Sequence, residues 1–548
     1  MKSSTFILTV VAFIGLAIES NAQKFFIQFT DKNNSSFSIT NPSGFLTPRS
    51  IQRRVNQGIA LTAEDLPVNQ NYIDSVISKG AIVFTQSKWF NGVTVQCDST
   101  VLAQIQALPF VYNSVKITRK RKDGKTIDKN SGVPVSLPSV LRTNSFNYGG
   151  SFNQINLMQG DYLHDIGFTG NGMVMAIIDA GFYHVDQLMT FDSLRNRNGI
   201  LGTWDFVDNQ ASVYEDDTHG MEVLSTIAGN TPGQLVGTAP NANFWLLRSE
   251  DANTENIIEE YNWDAAAEFA DSVGVDVISS SLGYTDFDDP AASHTYADMN
   301  GHTCPSSIAA DIAVGKGMLV LTSAGNSGNN SWHYISAPSD GDSVLSVAAV
   351  DMNGNYVSFS SYGPSSDGDV KPNVAAKGAQ STIADAFDNI GVGSGTSFAC
   401  PILAGSATCF WQAFPNLKVM EVKRAIELSA NYFNTPTDTL GYGIPNFHLA
   451  YIAAGTHEMI APEAEFVAYP NPFVGQLSIH LYSESNNFVI GNLYDFVGKE
   501  IVEFKSTLIP ASFQNIAVEI PQAIGAGIYY LRVKVGEKTF SQKVVKQN

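Results

Sequence analysis

Residues 391–401 read GVGSGTSFACP and run straight into ILAGSATCFWQAF at 402–414. The second stretch is small and apolar on every side, the composition of a helix buried nearly all round. The first supplies glycines and small hydroxyls for a tight turn. Pro401 is expected in the first helical turn, where its missing N–H breaks no bond. Ser397 then falls at the helix N-terminus, where unpaired N–H groups and the helix dipole favour negative charge. That setting suits a serine alkoxide. A plain Gly-Ser-Thr turn with an N-cap has the same composition, so the rest of the chain must decide.

Upstream, over 151–455, apolar runs such as GMVMAIIDAG, NFWLLRSE, GVDVISSSLG, GMLVLTSAGN and SVLSVAAVD lack period-two alternation. Buried parallel strands read this way, and helical stretches at 254–272 and 304–316 lie between them. The fold class expected is α/β, a mostly parallel sheet flanked by helices. Residues 24–116 form a separate α+β unit: a strand at KFFIQFTD, then helix, two strands, helix and strand. Beyond 465, alternating strands with Gly and Asn turns indicate a small antiparallel β-sandwich.

At 548 residues the chain exceeds one core, and length alone suggests about three or four domains. Residues 1–22 combine Lys2, an apolar run from Phe6 to Ile18 and the small ending Ser20-Asn21-Ala22, the pattern of a secretory signal. No later stretch reaches the length of a membrane span, so no transmembrane segment is expected in the mature form. Boundaries follow at 23–118, a linker at 119–150, 151–455, a linker at 456–464, and 465–548. The 119–150 linker opens with RKRKDGK (119–125), basic, polar and open to proteolysis.

Cys97, Cys304, Cys400 and Cys409 show no CxxC spacing, which excludes a zinc ribbon and a disulfide scaffold but leaves room for one bridge. Net charge is −20, with about +8 on 23–150 and about −27 on 151–460. Such acidity argues against a nucleic-acid partner, which would be repelled. It also suggests that the basic N-terminal unit docks on the acidic one, though acidity serves solubility as well.

Serine nucleophiles need a base, a carboxylate that orients it, and donors for the oxyanion. Asp179 ends MVMAII, at the carboxyl end of a strand, where open α/β sheets assemble their sites. His219 begins the small-residue helix HGMEVLSTIAG, whose dipole disfavours its protonated form. Asn326 ends the strand in LVLTSAGNSG and could donate its amide. Each alone also fits a structural role as helix cap, loop histidine or turn asparagine. Together they run Asp, His, Asn, Ser along the chain.

That order and four segments resemble the subtilisin-like serine peptidases: VMAIIDAGF, HGMEVLSTIAG, VLTSAGNSG and GTSFACPILAG. The likeness spans about 151–450. It implies that Asp179 orients His219, that His219 acts as general base and then acid, and that Ser397 attacks. It also implies that Asn326 holds the oxyanion, and that Ser281, Leu282, Gly283, Ala324 and Gly325 line the substrate cleft. Two departures stand out: Ala180 replaces the usual Ser or Thr, and Met221-Glu222 the usual Thr-His. Cys400 is expected to be a buried structural thiol. Residues 24–116 resemble, more loosely, the inhibitory propeptides of this family. YPNPF and GIYYLRV…KVVK resemble the sorting domains of the type IX secretion system of Bacteroidetes.

The expected function is a secreted serine endopeptidase made as a precursor, acting on protein or peptide substrates through an acyl-enzyme. Its own propeptide and the type IX machinery are the expected partners, and the cell surface or exterior is the expected location. The alternative is a silent module of the same fold that binds peptides or glycans. No cofactor or catalytic metal is expected. Structural calcium at TDFDDP (285–290) or EDDTHG (215–220) stays open, and His294, His302 and Cys304 match no standard zinc spacing.

Overall fold

The computed structural model describes residues 23–117, 146–455 and most of 466–547. The expected signal segment, the 456–464 linker and all but the end of the 119–150 linker lie outside the described residues.

The N-terminal unit is a four-stranded antiparallel sheet in the order Ile82–Ser87, Gly92–Cys97, Gln23–Phe29, Val111–Lys116. Helices Gln70–Ser78 and Ser99–Gln106 close its core through Ile73, Val76 and Ile105, packed with Phe25, Ile27 and Phe29. A third helix, Pro48–Gln57, has no apolar stripe to announce it. Its buried residues are Ser50, Arg53, Arg54 and Gln57, and they face the next domain.

There, a seven-stranded sheet runs parallel throughout. Its order is Val374–Lys377, Leu345–Val350, Leu319–Ser323, Val277–Ser280, Val174–Asp179, Asn243–Arg248, Ile200–Asp205. The five strands expected from apolar runs are present. The two added ones are an edge strand with half-exposed residues and a four-residue strand rich in alanine. From Val174–Asp179 the chain crosses to the edge strand Ile200–Asp205, returns to Asn243–Arg248, and then crosses to Val277–Ser280 and winds outward on the other side. The crevice between the ends of Val174–Asp179 and Val277–Ser280 is therefore a topological switch point, where side chains from separate crossovers converge.

The Thr396–Ala413 helix packs against four strands of this sheet and against the His219–Ala228 helix, and all but its last two residues are buried. Pro401 does not sit in the first turn as expected; it is the sixth residue of this helix. A proline there cannot donate to the carbonyl four residues back, and its ring pushes that carbonyl aside. The carbonyl belongs to Ser397. It accepts instead from Ser281 Oγ at 2.8 Å, which ties the helix start to the end of the central strand.

The first two domains dock along the helix Ile258–Val273. Phe26 stacks on Tyr261 with ring centroids 4.5 Å apart, beside Ile117 and Ile258. Glu268 accepts from Ser87 Oγ at 2.9 Å and from the N–H groups of Lys88 and Trp89 at 2.8 and 2.7 Å. Asp271 faces Arg53, Arg54 and Lys88 at 2.5, 2.9 and 2.8 Å. Burial would raise its carboxyl, but Lys88, Arg53 and Arg54 hold it at about 2. Arg49 pairs with Asp276, and Lys316 answers Glu64 and Asp65 in the opposite sense. The charge asymmetry read from sequence is thus expressed mainly as cations of the first domain on carboxylates of the second.

The C-terminal domain is a sandwich of two antiparallel sheets, three and four strands wide, around a core that includes Leu477, Ile479, Leu493, Leu531 and Val533. Gln542 joins the sheets through the backbone N–H and C=O of Ala468. All four cysteines are buried and free, so the bridge left open by the sequence does not form.

Candidate functional site

Asp179 closes the first strand of the sheet and is fully buried. His219 is the first residue of its helix, and Asp217 Oδ1 caps the His219 N–H at 2.8 Å. The next residue has to be glycine. A Cβ on Gly220 would meet the Gly181 carbonyl at 2.4 Å and Asp179 Cβ at 2.9 Å. This close approach lets His219 Nδ1–H donate to Asp179 Oδ1 at 2.7 Å. With Nδ1 engaged, Nε2 is the nitrogen left for other work. Asp179 Oδ1 also accepts from the Ala180 N–H at 2.8 Å, while the buried Oδ2 has no partner among the described residues.

Ser397 is the second residue of its helix and 8% exposed, with Oγ 3.4 Å from the Ser281 carbonyl. Asn326 reaches it from the loop after Leu319–Ser323. Asn326 Oδ1 accepts from the Thr396 N–H at 2.8 Å and from Thr396 Oγ1 at 3.0 Å, and that hydroxyl accepts from the Gly325 N–H at 3.2 Å. Because Oδ1 holds two donors, the amide NH₂ is turned the other way. A Cβ on Gly395 would lie 3.6 Å from both Asn326 Nδ2 and the Ser397 N. Asn326 Nδ2 and the Ser397 N–H therefore flank one point beside Gly395.

His219, Ser281, Leu282, Gly283, Gly325, Asn326 and Ser397 all line one cleft of about 540 Å³. Ala324 does not. It is fully buried, with its N–H bonded to the Val347 carbonyl, and Ser323 and Gly325 form that wall instead. Gly325 has φ +108°, a conformation L side chains rarely adopt.

Sequence reasoning missed Thr396, which sets the direction of Asn326, because the pairing spans 70 residues and has no local signature. It also left Glu222 without a role. Burial raises the Glu222 carboxyl to about 7, against the opposing pull of His219 and the Thr218 hydroxyl. Three carboxylates of the acidic loops read as calcium candidates make protein contacts. Asp216 pairs with Arg248, Asp217 caps His219, and Asp288 accepts from the Glu255 N–H. His294 and Cys304 do come together, with Glu260. That carboxylate is satisfied by His294 Nε2 at 2.7 Å and by Ser306, while His302 lies exposed near Asp342.

The chain matches the Subtilase family over residues 170–444, half its length, and belongs to it. It is a subtilisin-family serine endopeptidase, with a match to the Peptidase S8 propeptide domain of Bacteroidota over 24–131 and to the Secretion system C-terminal sorting domain over 467–547. The sorting domain marks the protein for type IX export to the cell surface or beyond. A thermostable alkaline protease of Halalkalibacterium halodurans is 27% identical over 62% of this chain and 82% of its own. Subtilisin NAT of Bacillus subtilis subsp. natto is 26% identical over 66% and 80%. The solved structure of MycP1 from Mycobacterium smegmatis covers 59% of this chain and 89% of its own, at 20% identity and TM-score 0.45. No helix among the described residues is long and apolar enough to cross a membrane.

Proposed function

We propose that Asp179, His219 and Ser397 form the catalytic triad of this peptidase, and that hydrolysis proceeds through an acyl-enzyme on Ser397. The single observation carrying this reading is the 2.7 Å bond from His219 Nδ1 to buried Asp179, in a cleft His219 shares with Ser397. His219 Nε2 takes the Ser397 proton as Oγ bonds to the scissile carbonyl carbon. The carbonyl oxygen becomes an oxyanion between Asn326 Nδ2 and the Ser397 N–H, at a helix N-terminus that favours negative charge. The C–N bond then breaks as His219 returns the proton to the leaving amine. Water, deprotonated by the same imidazole, releases the acyl group.

Every role is filled by a protein group, so the reaction needs no cofactor, and chelators should leave the chemistry intact; any calcium would be structural. Ser281, Leu282, Gly283 and Gly325 pair with the substrate backbone as an added strand. The first domain acts as an inhibitory propeptide that Ser397 itself removes, and the sorting domain is read by the type IX machinery. A fluorophosphonate probe tests the central claim. It should label the wild-type protein covalently and leave Ser397→Ala unlabelled, whereas an unlabelled wild-type protein would favour a silent binding module.

A further inference from the structure

The docking helix Ile258–Val273 carries a carboxyl that the contacts already described leave unused. Tyr261, Asp264, Glu268 and Asp271 follow one another at steps of three and four residues, so they form one stripe along that helix. The first domain covers the stripe: Phe26 on Tyr261, Ser87 and Trp89 on Glu268, and Arg53, Arg54 and Lys88 on Asp271. Asp264 lies between these contacts, fully buried, and neither of its oxygens has a hydrogen-bond partner among the described residues. Burial and the neighbouring Glu268 push its carboxyl well above the ordinary range. Ser87 and Lys88 oppose that rise, but Ser87 Oγ already donates to Glu268 and Lys88 Nζ to Asp271. A charge on Asp264 would therefore stand unsolvated beside a second carboxyl, whereas the neutral acid is tolerated.

We propose that Asp264 is a proton-operated latch on the first domain, which is held while Asp264 is neutral and let go when it ionises. The latch governs how that domain leaves, and it does not depend on the role of Ser397. Tyr261 and Glu268 face Asp264 on its own helix, and Lys88 faces it from the first domain. Glu268 is shifted upward too, by its own burial. The other charges nearby are engaged elsewhere. Lys32 donates to the carbonyls of Ala63, Glu64, Leu66 and Lys88, and Lys24 lies over the Phe84 ring. Glu259 accepts from the N–H groups of Asp251 and Asn256, and Glu260 from His294 and Ser306. Behind the helix, Asp311 accepts from the N–H groups of Asp342 and Ser343, and Arg248 pairs with Asp205. Undocked, the stripe faces water and Asp264 returns to the ordinary range near about 4. The docked form thus binds the proton more tightly, and docking weakens about tenfold per pH unit above that value until the docked carboxyl itself ionises. Asp271 acts in the opposite sense. Its docked carboxyl sits at about 2, so its contribution is lost only as pH falls from about 4 through 2. Docking is tightest in mild acid and relaxes toward neutral and alkaline pH.

The test uses the full chain carrying Ser397→Ala, in which the two domains stay joined. The N–H groups of Lys88 and Trp89 donate to Glu268, so their hydrogen exchange reports opening of the docked face. Corrected for the intrinsic rate, exchange there should rise by about tenfold or more between pH 5 and pH 8. Asp264→Asn, neutral and of the same size, should flatten that rise and keep both amides protected at pH 8. Asp264→Ser is a second neutral replacement with the same expectation, so the test survives if one variant fails to fold. Asp271→Asn should speed exchange at both pH values and leave the slope in place. A corrected exchange rate that is level from pH 5 to pH 8 would overturn the latch, as would a slope that persists in the folded Asp264 variants. Neither result would touch the assignment of Ser397, which fluorophosphonate labelling of the wild-type protein decides separately.

Discussion

Asn326 works through direction. Thr396 holds its oxygen, so the amide hydrogens face the space beside the Ser397 N–H. Asn326→Leu keeps the volume and removes the donor, and should lower kcat by about 10²–10³ with little change in KM. Steady-state kinetics on a peptide substrate decide it, since a loss confined to KM would assign Asn326 to substrate binding. Glu222 makes a different kind of prediction. Its carboxyl is raised from 4.5 to about 7 by burial, so the folded protein binds that proton more tightly than the unfolded chain. A raised carboxyl costs stability as pH climbs from about 4.5 through 7, by up to about 3 kcal/mol. Glu222→Gln should remove that slope, giving a larger gain at pH 8 than at pH 5. Urea unfolding in a Ser397→Ala background, free of autolysis, measures it. Equal gains at both pH values would refute the assignment.

At the scale of elements, the docking helix Ile258–Val273 carries the zymogen contact. Asp271 is buried opposite three cations of the first domain, and removing one member of such a cluster leaves the others unpaired in a poor solvent for charge. Asp271→Asn in the mature enzyme should weaken inhibition by a separate 23–117 polypeptide by about 3–5 kcal/mol. Titrating that polypeptide against both enzymes gives the ratio of inhibition constants, and a change under threefold would show that the aromatic and backbone contacts carry the affinity. This contact also explains what the sequence concealed. Pro48–Gln57 buries Arg53 and Arg54, so apolar periodicity could not reveal it. The residues Asp179, His219, Asn326 and Ser397 were legible because each sits in its own local motif, at a strand end or helix start. Thr396 on Asn326 and Ser281 on the Ser397 carbonyl were not, because only the folded sheet brings those partners together. Pro401 was placed too early for the same reason. Its helix starts one residue before Ser397, at a point fixed by Asn326 and Ser281 and invisible to composition.

At the scale of the molecule, the C-terminal domain has a hydrophobic core separate from those of the other two. Deleting 466–548 should therefore leave a peptidase that folds and labels with fluorophosphonate, while the truncated protein stays in the periplasm of its native host. Fractionation followed by labelling checks both halves of the claim, and normal appearance in the medium would defeat the sorting role. The four cysteines give this architecture one more property. Cys97 lies in the core of the first domain, Cys304, Cys400 and Cys409 lie in the second, and none forms a bridge. Burial also raises all four thiols above their ordinary range, the Cys400 thiol to about 12. The native protein should thus react slowly with thiol dyes, and its stability should not depend on added reductant. The first two domains each carry a chemical clock. Dye uptake at Cys97 times the opening of the first domain, and uptake at the other three times the opening of the peptidase, with no engineered label.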